Sequence, residues 1–368
     1  MIDLKYYQEL PFNSLEFISN LNKNNLKNFT PVIEDSTTVG KKINMGYLCY
    51  ALKIYKMTNV WDNFSAHDKK EWTEKLLNYQ TNNTNNFKDF FIDPAVHKYF
   101  NNKFTQFKLK NYIKAILNNV TSKNYEKVAK QVLKALNADN KQTISTLVEL
   151  GVSNIRKPNF IFENFNDVKE NLDSYDWSKP WDAGAQFSSM SVYSNVFNLG
   201  FEEQLYKYIT AKHDVITGSY FDGTPQHSRQ VINGAMKVIS GLDWINYPIH
   251  SPNNLIDFCL ENKPEFEGCD LVDYVYVLFK SSKQTNYRKS EVESIFKEIL
   301  QDIRRLYFEE SKGFSYFLEK SQTHYYGIKI TNGSNEADIH GTILSLWAII
   351  LILDLLELNE HNYQIIKP

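Results

Sequence analysis

Apolar residues recur at helical spacing along almost the whole chain, and that period constrains the fold more than any other feature. Met45–Thr58 (MGYLCYALKIYKMT) carries it, as do Phe104–Asn119, Tyr125–Leu136, Thr143–Leu150 and Leu199–Ile209. Pro225–Leu242, Asn253–Leu260, Leu271–Lys280, Glu291–Leu306 and Ile339–Leu358 continue it. Strand-like alternation is scarce, and YYGIKITNG (Tyr325–Gly333) is the best candidate for a short extended piece. Helices of about three to four turns joined by short connections pack as sequential antiparallel neighbours. The fold class expected is therefore all-α.

No Ser/Gly/Pro-rich linker divides the chain. Asn154–Trp181 is irregular, yet dense in aromatics, so it should be packed. One domain over residues 1–368 is expected. A loose repeat supports a closed helical array: NNFKDFFIDP (Asn85–Pro94), TGSYFDGTP (Thr217–Pro225) and SKGFSYFLEKSQ (Ser311–Gln322) each place a small or polar turn before an aromatic cluster.

Composition narrows the function classes. Hydrophobic residues are 42% and charged residues 23% of the 368, enough for a real core. The aromatic fraction of 14% is high, and aromatics fill cores as well as line ligand sites. A net charge of −2 provides no basic field, so nucleic acid is not an expected partner. Three cysteines (Cys49, Cys259, Cys269), widely spaced and without CxxC, form neither a disulfide framework nor a zinc ribbon. The opening MIDLKYYQELPFNS lacks the features of a signal peptide. The apolar run from Thr342 is broken by Asp354, short of the roughly 20 residues a spanning helix needs. No integral membrane segment and a cytoplasmic location are expected.

Three segments concentrate chemistry. In YFDGTPQHSRQVINGAMKVISGL (Tyr220–Leu242), Thr224-Pro225 reads as a helix start, so Asp222, His227 and Arg229 gather at its positive end. In EGCDLVDYVYVLF (Glu267–Phe279), Asp270, Asp273 and Val277 share one face of a helix that is apolar nearly all round. A buried Asp there needs hydrogen bonds, a cation or a raised pKa. In THYYGIKITNGSNEADIHGTILSLW (Thr323–Trp347), Glu336, Asp338 and His340 lie two residues apart at the threshold of an apolar helix. An extended approach puts all three on one side, near Tyr325, Tyr326 and Lys329. An imidazole beside a carboxylate suits a general base near neutral pH. P-loop, Rossmann glycine, GxSxG and HExxH signatures are missing, and Cys269 reads as a small buried residue.

TGSYFDG, SKGFSYF and the helix pair CDLVDYVYVLF and ADIHGTILSLWAIIL together resemble an (α/α)6 toroid of antiparallel helical hairpins. More specifically, they resemble the six-hairpin barrels of terpenoid cyclases and protein prenyltransferase β subunits. In the prenyltransferases an Asp, a Cys two residues on and a later His bind zinc. Asp273 and His340 stand at two of those positions and Val275 at the Cys, so the expected cofactor is none. The acidic motifs DxDD and DDxxD are absent as well. FFIDP, LDSYDWSKPW, INGAMKVISGLDW and SQTHYYGIKITNGSNEADIHGT are similar to uncharacterised toroid proteins encoded among bacterial surface-polysaccharide genes. That likeness, over most of the chain, implies a pathway context.

The expectation drawn from all this is a carbohydrate-active enzyme acting on a sugar or polysaccharide intermediate, a hydrolase, lyase or epimerase. Asp273 and His340 are its acid and base in either order, oriented by Asp222 and Asp338. Asp270, His227, Tyr274, Tyr325, Tyr326, Glu336 and Trp347 line the substrate, and Arg229 or Lys329 takes an anionic group. Two alternatives stay open: an isoprenoid ligand, or a scaffold whose acidic residues cap helices. Exposed aromatics around Phe160–Tyr175 suit a homodimer contact.

Overall fold

The helical periodicity resolves into helices whose connections are mostly short, with long ones between Leu21 and Met45 and between Arg304 and Ile339. The computed structural model describes residues 4–22, 26–82, 88–103, 106, 108–114, 128–225, 227–265 and 267–368. Its helices are α1 (Leu4–Leu21), α2 (Met45–Met57), α3 (Val60–Asn63), α4 (Ala66–Leu77), α5 (Pro94–Asn102), α6 (Val128–Glu149) and α7 (Phe165–Asp173). They continue with α8 (Pro180–Val196), α9 (Glu202–Thr210), α10 (Ser228–Ile245), α11 (Pro252–Glu261), α12 (Gly268–Ser282), α13 (Lys289–Arg304) and α14 (Ile339–Leu355). Two small antiparallel hairpins precede α14: β1 (Tyr307–Phe308) with β2 (Gly313–Phe314), and β3 (His324–Tyr325) with β4 (Ile328–Lys329). The protein is thus mostly helical, and the extended piece expected at Tyr325–Gly333 belongs to the second hairpin.

Six helices contact one another in a cycle. α2 packs on α6, α6 on α8, α8 on α10, α10 on α12, α12 on α14, and α14 returns to α2. Others flank them: α1 beside α14, α7 and α9 beside α8, α11 and α13 beside α12. Helices α12 and α14 are apolar on nearly every side, as burial from all directions requires, whereas α6 and α8 carry more polar and small residues. From Ile339 to Leu353 almost every α14 side chain is buried. The closest pair, α8 and α10, meets through small residues. Ser188 Oγ and Ser240 Oγ are 2.7 Å apart, and a Cβ on Gly234 would lie 2.5 Å from Pro180 Cβ.

The loose repeat has a structural counterpart. Each copy folds back on the segment after the preceding helix through an antiparallel contact: Gln80 with Phe91, His213 with Tyr220, and Tyr307 with Phe314. Residues 85–87 of the first copy lie outside the described residues.

Several expectations need correction. Of the helix expected over Phe104–Asn119, residues 106 and 108–114 are helical and the rest of its span lies outside the described residues. The two helices expected at Tyr125–Leu136 and Thr143–Leu150 are one, α6, whose described part begins at Val128. The polar stretch that looked like a break is satisfied sideways: Asn140 bonds the backbone of Phe91, and Asp139 accepts from Tyr325 Oη. Helix α10 starts at Ser228, beyond Thr224-Pro225. The aromatics around Phe160–Tyr175 are packed inward, Phe160 against Phe90 (4.5 Å) and Tyr193 (5.4 Å), and Phe165 against Phe201 (5.9 Å). Phe160, Phe162, Phe165 and Tyr175 are half-buried against the core, less exposed than expected.

The α8–α10 contact generates a first prediction. Gly234→Ala forces a methyl into Pro180, including its backbone carbon at 2.9 Å, and should cost about 1–3 kcal/mol. A lowered urea midpoint with an unchanged slope is the expected readout.

Candidate functional site

The six helices in cyclic contact enclose a cavity of about 440 Å³, and each of them contributes to its wall. The lining positions fall at helical spacing: Tyr50, Lys53 and Met57 on α2, Ala138, Lys141 and Gln142 on α6, and His340, Ile343, Leu344 and Trp347 on α14. Ala185, Gln186 and Ser189 come from α8, Met236 and Lys237 from α10, and Cys269, Val272 and Asp273 from α12.

Loops bound the cavity at both ends. Near the N-termini of α2 and α14 stand Gln322, Tyr325 and Tyr326, the last two on the β3–β4 hairpin. Tyr326 and Gly327 form its turn with φ of 45° and 80°, the left-handed conformation that tight hairpins need. Gly46 makes room for the Tyr325 ring, since a Cβ there would lie 2.2 Å from Tyr325 Oη. At the C-terminal ends of the helices, Ile366 and Pro368 line the cavity. Their segment is tied down by Gln364 N donating to Met57 O (2.8 Å) and Trp244 Nε1 donating to Pro368 O (3.1 Å).

Asp273 is the carboxylate among the described lining residues. It is 1% exposed, and its Oδ1 lies 3.5 Å from Lys237 Nζ. Its Oδ2 has no hydrogen-bond partner among the described residues. Burial pushes its pKa up to about 6, with Lys237 pulling the other way. His340 stacks flat on Tyr50, 4.8 Å between ring centres, and lies 5.0 Å from the Tyr316 ring. Its Nδ1 has no partner among the described residues, and burial followed by repulsion from Lys237 lowers the pKa of the imidazole to about 3. The imidazole is therefore neutral at physiological pH, whereas Asp273 changes charge just below it. Trp347 Nε1 is a third unpartnered buried polar atom on this wall. Burial holds Tyr50 well above its ordinary value, so its phenol stays protonated.

Asp338 answers why a carboxylate stands before a buried helix. It caps α14, with Oδ1 accepting from Gly341 N (2.8 Å) and Oδ2 from Tyr316 N (2.7 Å) and Gln322 N (3.0 Å). Burial raises it to about 7 against the pull of these amides. The carboxylate ties the loop over the cavity to the helix that carries His340. It works by positioning, and its oxygens are committed to the backbone.

The other expected site residues are scattered. Asp270 sits at the rim, held by Arg229 Nε (2.8 Å) and Asn233 Nδ2 (2.7 Å), while Arg229 lies over Trp181. Asp222 is exposed and paired with Lys212, so it does not reach Asp273 or His340. His227 is exposed at the α10 N-cap without a capping bond. Tyr274 faces away from the cavity, its hydroxyl donating to Cys259 O (3.0 Å). Glu336 accepts from Glu34 N and Asp35 N in a loop, and Lys329 is exposed on β4. Tyr325, Tyr326 and Trp347 do line the cavity, with Asp273 and His340. Sequence reading missed Lys53, Lys141 and Lys237. Nothing in their local pattern marks them, and three separate helices bring them together.

The zinc arrangement does not fit. Val275 is buried in the core where a thiolate is needed. Among the described residues no three His, Cys, Asp or Glu side chains gather as a ligand set. No described helix is long and apolar enough to cross a membrane.

Asp273 and Asp338 should respond oppositely to mutation. A carboxyl raised from 3.8 to about 6 binds its proton more tightly when folded, so its contribution to stability falls as pH rises from about 4 to about 6. Asp273→Asn should therefore stabilise the fold at pH 7 by up to about 3 kcal/mol, read as a higher melting temperature, with the gain vanishing below about pH 4. Asp338→Ala strands three backbone amides and should lose about 3 kcal/mol or more. Melting curves from pH 4 to 8 check both.

No protein-family model matches the chain, and neither a curated protein nor a solved structure does.

Proposed function

We propose that the six helices in cyclic contact form an (α/α)6 toroid and that its cavity houses a carbohydrate-active enzyme. Support for the architecture comes from the closed order of helix contacts and from the cavity wall to which all six contribute. The enzymatic reading is carried by one observation: a buried carboxyl with a free oxygen, Asp273, shares a cavity with a neutral imidazole whose Nδ1 is also free. Both atoms are buried at a cost, and a polar ligand in the cavity would satisfy them.

Among hydrolase, lyase and epimerase, the site favours the last two. Glycoside hydrolysis ordinarily needs two carboxyl groups flanking the scissile bond. Here Asp273 is the one carboxylate among the described lining residues, with Asp270 held by Arg229 and Asp338 by backbone amides. Proton abstraction from a carbon made acidic by a neighbouring carbonyl or carboxyl needs one base and a donor. Asp273, ionised above about pH 6, is the base. The neutral His340 or the phenol of Tyr50 or Tyr326 is the donor. Tyr326 and Trp347 offer flat faces against which a sugar ring stacks.

The isoprenoid reading retains one observation, the apolar stripe of Met57, Met236, Val272, Ile343 and Leu344 on the same wall.

Incubation in D2O with uronate-containing and neutral oligosaccharides tests the proposal. Deuterium bound to carbon, or an unsaturated product, is expected. Asp273→Asn should slow its appearance by about 10²-fold or more. Hydrolysis without carbon-bound deuterium, or full activity in Asp273→Asn, overturns it.

A further inference from the structure

Three amines converge on the cavity from three helices: Lys53 from α2, Lys141 from α6 and Lys237 from α10. We infer that they form a subsite for an oxyanion group, a carboxylate or a phosphate, carried by the substrate. The inference deepens the carbohydrate reading and rests on it for the identity of the rest of the ligand.

The charges around the amines do not balance. Lys237 Nζ is 3.5 Å from Asp273 Oδ1 and 3.4 Å from Met236 Sδ, so its partner is distant. Lys53 is 8% exposed, and its amine contacts Ser145 Oγ at 3.4 Å. Lys141 makes neither a hydrogen bond nor an ion pair among the described residues. Opposing them, Asp273 is the carboxylate on the wall. Glu149, at the end of α6, reaches Lys53 through its field alone, while its Oε1 accepts from Lys367 N at 3.3 Å. Asp270 is held by Arg229, and His340 is neutral. Three like charges in a largely buried space cost free energy unless an anion joins them.

The strain shows at the amines. Burial lowers both Lys53 and Lys141, and the two neighbouring lysines lower Lys141 further. An oxyanion bound among them favours their charged form and draws its affinity from this relief. It also explains the free oxygen of Asp273: the ligand that answers the lysines brings hydroxyl groups or an acidic C–H within reach of Oδ2. For a sugar acid bound by its carboxylate, the same lysines stabilise the negative charge that builds on that carboxylate when the adjacent proton leaves.

Thermal shift and calorimetry with four probes test this: D-glucuronate, glucose 1-phosphate, inorganic phosphate and D-glucose. At least one of the two anionic sugars should raise the melting temperature of the parent and bind at least tenfold more tightly than D-glucose. Stronger binding of glucuronate assigns the subsite to a carboxylate, and stronger binding of glucose 1-phosphate together with inorganic phosphate assigns it to a phosphate. Lys141→Met and Lys53→Met should melt no lower than the parent without ligand, since each removes a like charge. Both should weaken anion binding at least tenfold. Glucose binding as tightly as the anions, no binding of any anion, or undiminished anion binding in both variants overturns the inference. Asp273→Asn separates it from the catalytic reading, because that variant should keep anion binding while losing deuterium incorporation. Anion binding with undiminished turnover in Asp273→Asn sinks only the proton-abstraction reading. Turnover without anion binding sinks only the subsite.

Discussion

A helix enclosed by others has two places to put a polar side chain: against a neighbour that satisfies it, or into a cavity. The helices in cyclic contact live under that constraint, and their polar residues divide accordingly. Ser188 meets Ser240, Asn140 meets the backbone of Phe91, and Tyr274 reaches Cys259. Lys53, Lys141, Lys237, Asp273 and His340 point instead into a common space. The groups that share this space, the loosely paired Lys237 and Asp273 among them, define the site.

Two carboxylates fasten the loops that roof this space. Asp338 gathers the amides of Gly341, Tyr316 and Gln322, and Asp139 accepts the hydroxyl of Tyr325. Both anchors join a loop to a helix of the wall, so the rims of the cavity are set by buried hydrogen bonds more than by apolar contact. Gly341 belongs to the same device. A Cβ there would lie 2.3 Å from the backbone carbon of Ser315, so only glycine lets the loop cross the start of α14. His340 owes its place against Tyr50 to this crossing.

Electrostatics in the cavity follow from burial acting on groups of opposite kind. Burial pushes the carboxyl of Asp273 up and the amines of Lys53 and Lys141 down, drawing both toward neutrality. Attraction between Lys237 and Asp273 opposes that tendency, but at 3.5 Å it is incomplete. Buried groups whose partners are few or distant suit proton transfer and the binding of charge.

The sequence by itself determined the helical character, the extent of helices such as α2 and α14, and the threshold role of Asp338 and His340. Period and composition are local properties, and a helix apolar all round announces its own burial. Helix α8 escaped because its run WDAGAQFSSMSVYSNV mixes Ser, Ala and Gly with few large apolar residues, a composition chosen for close approach to α10. Asp273 was legible, since a carboxylate inside LVDYVYVLF has no solvent face to turn to. Asp222 and Tyr274 misled, because residue type and helical face do not reveal whether a side chain meets a surface Lys or an outer helix. Only the tertiary structure decided which polar residues share the cavity. Lys53, Lys141 and Lys237 are separated by long stretches of chain, and their mutual repulsion exists only once three helices have packed side by side.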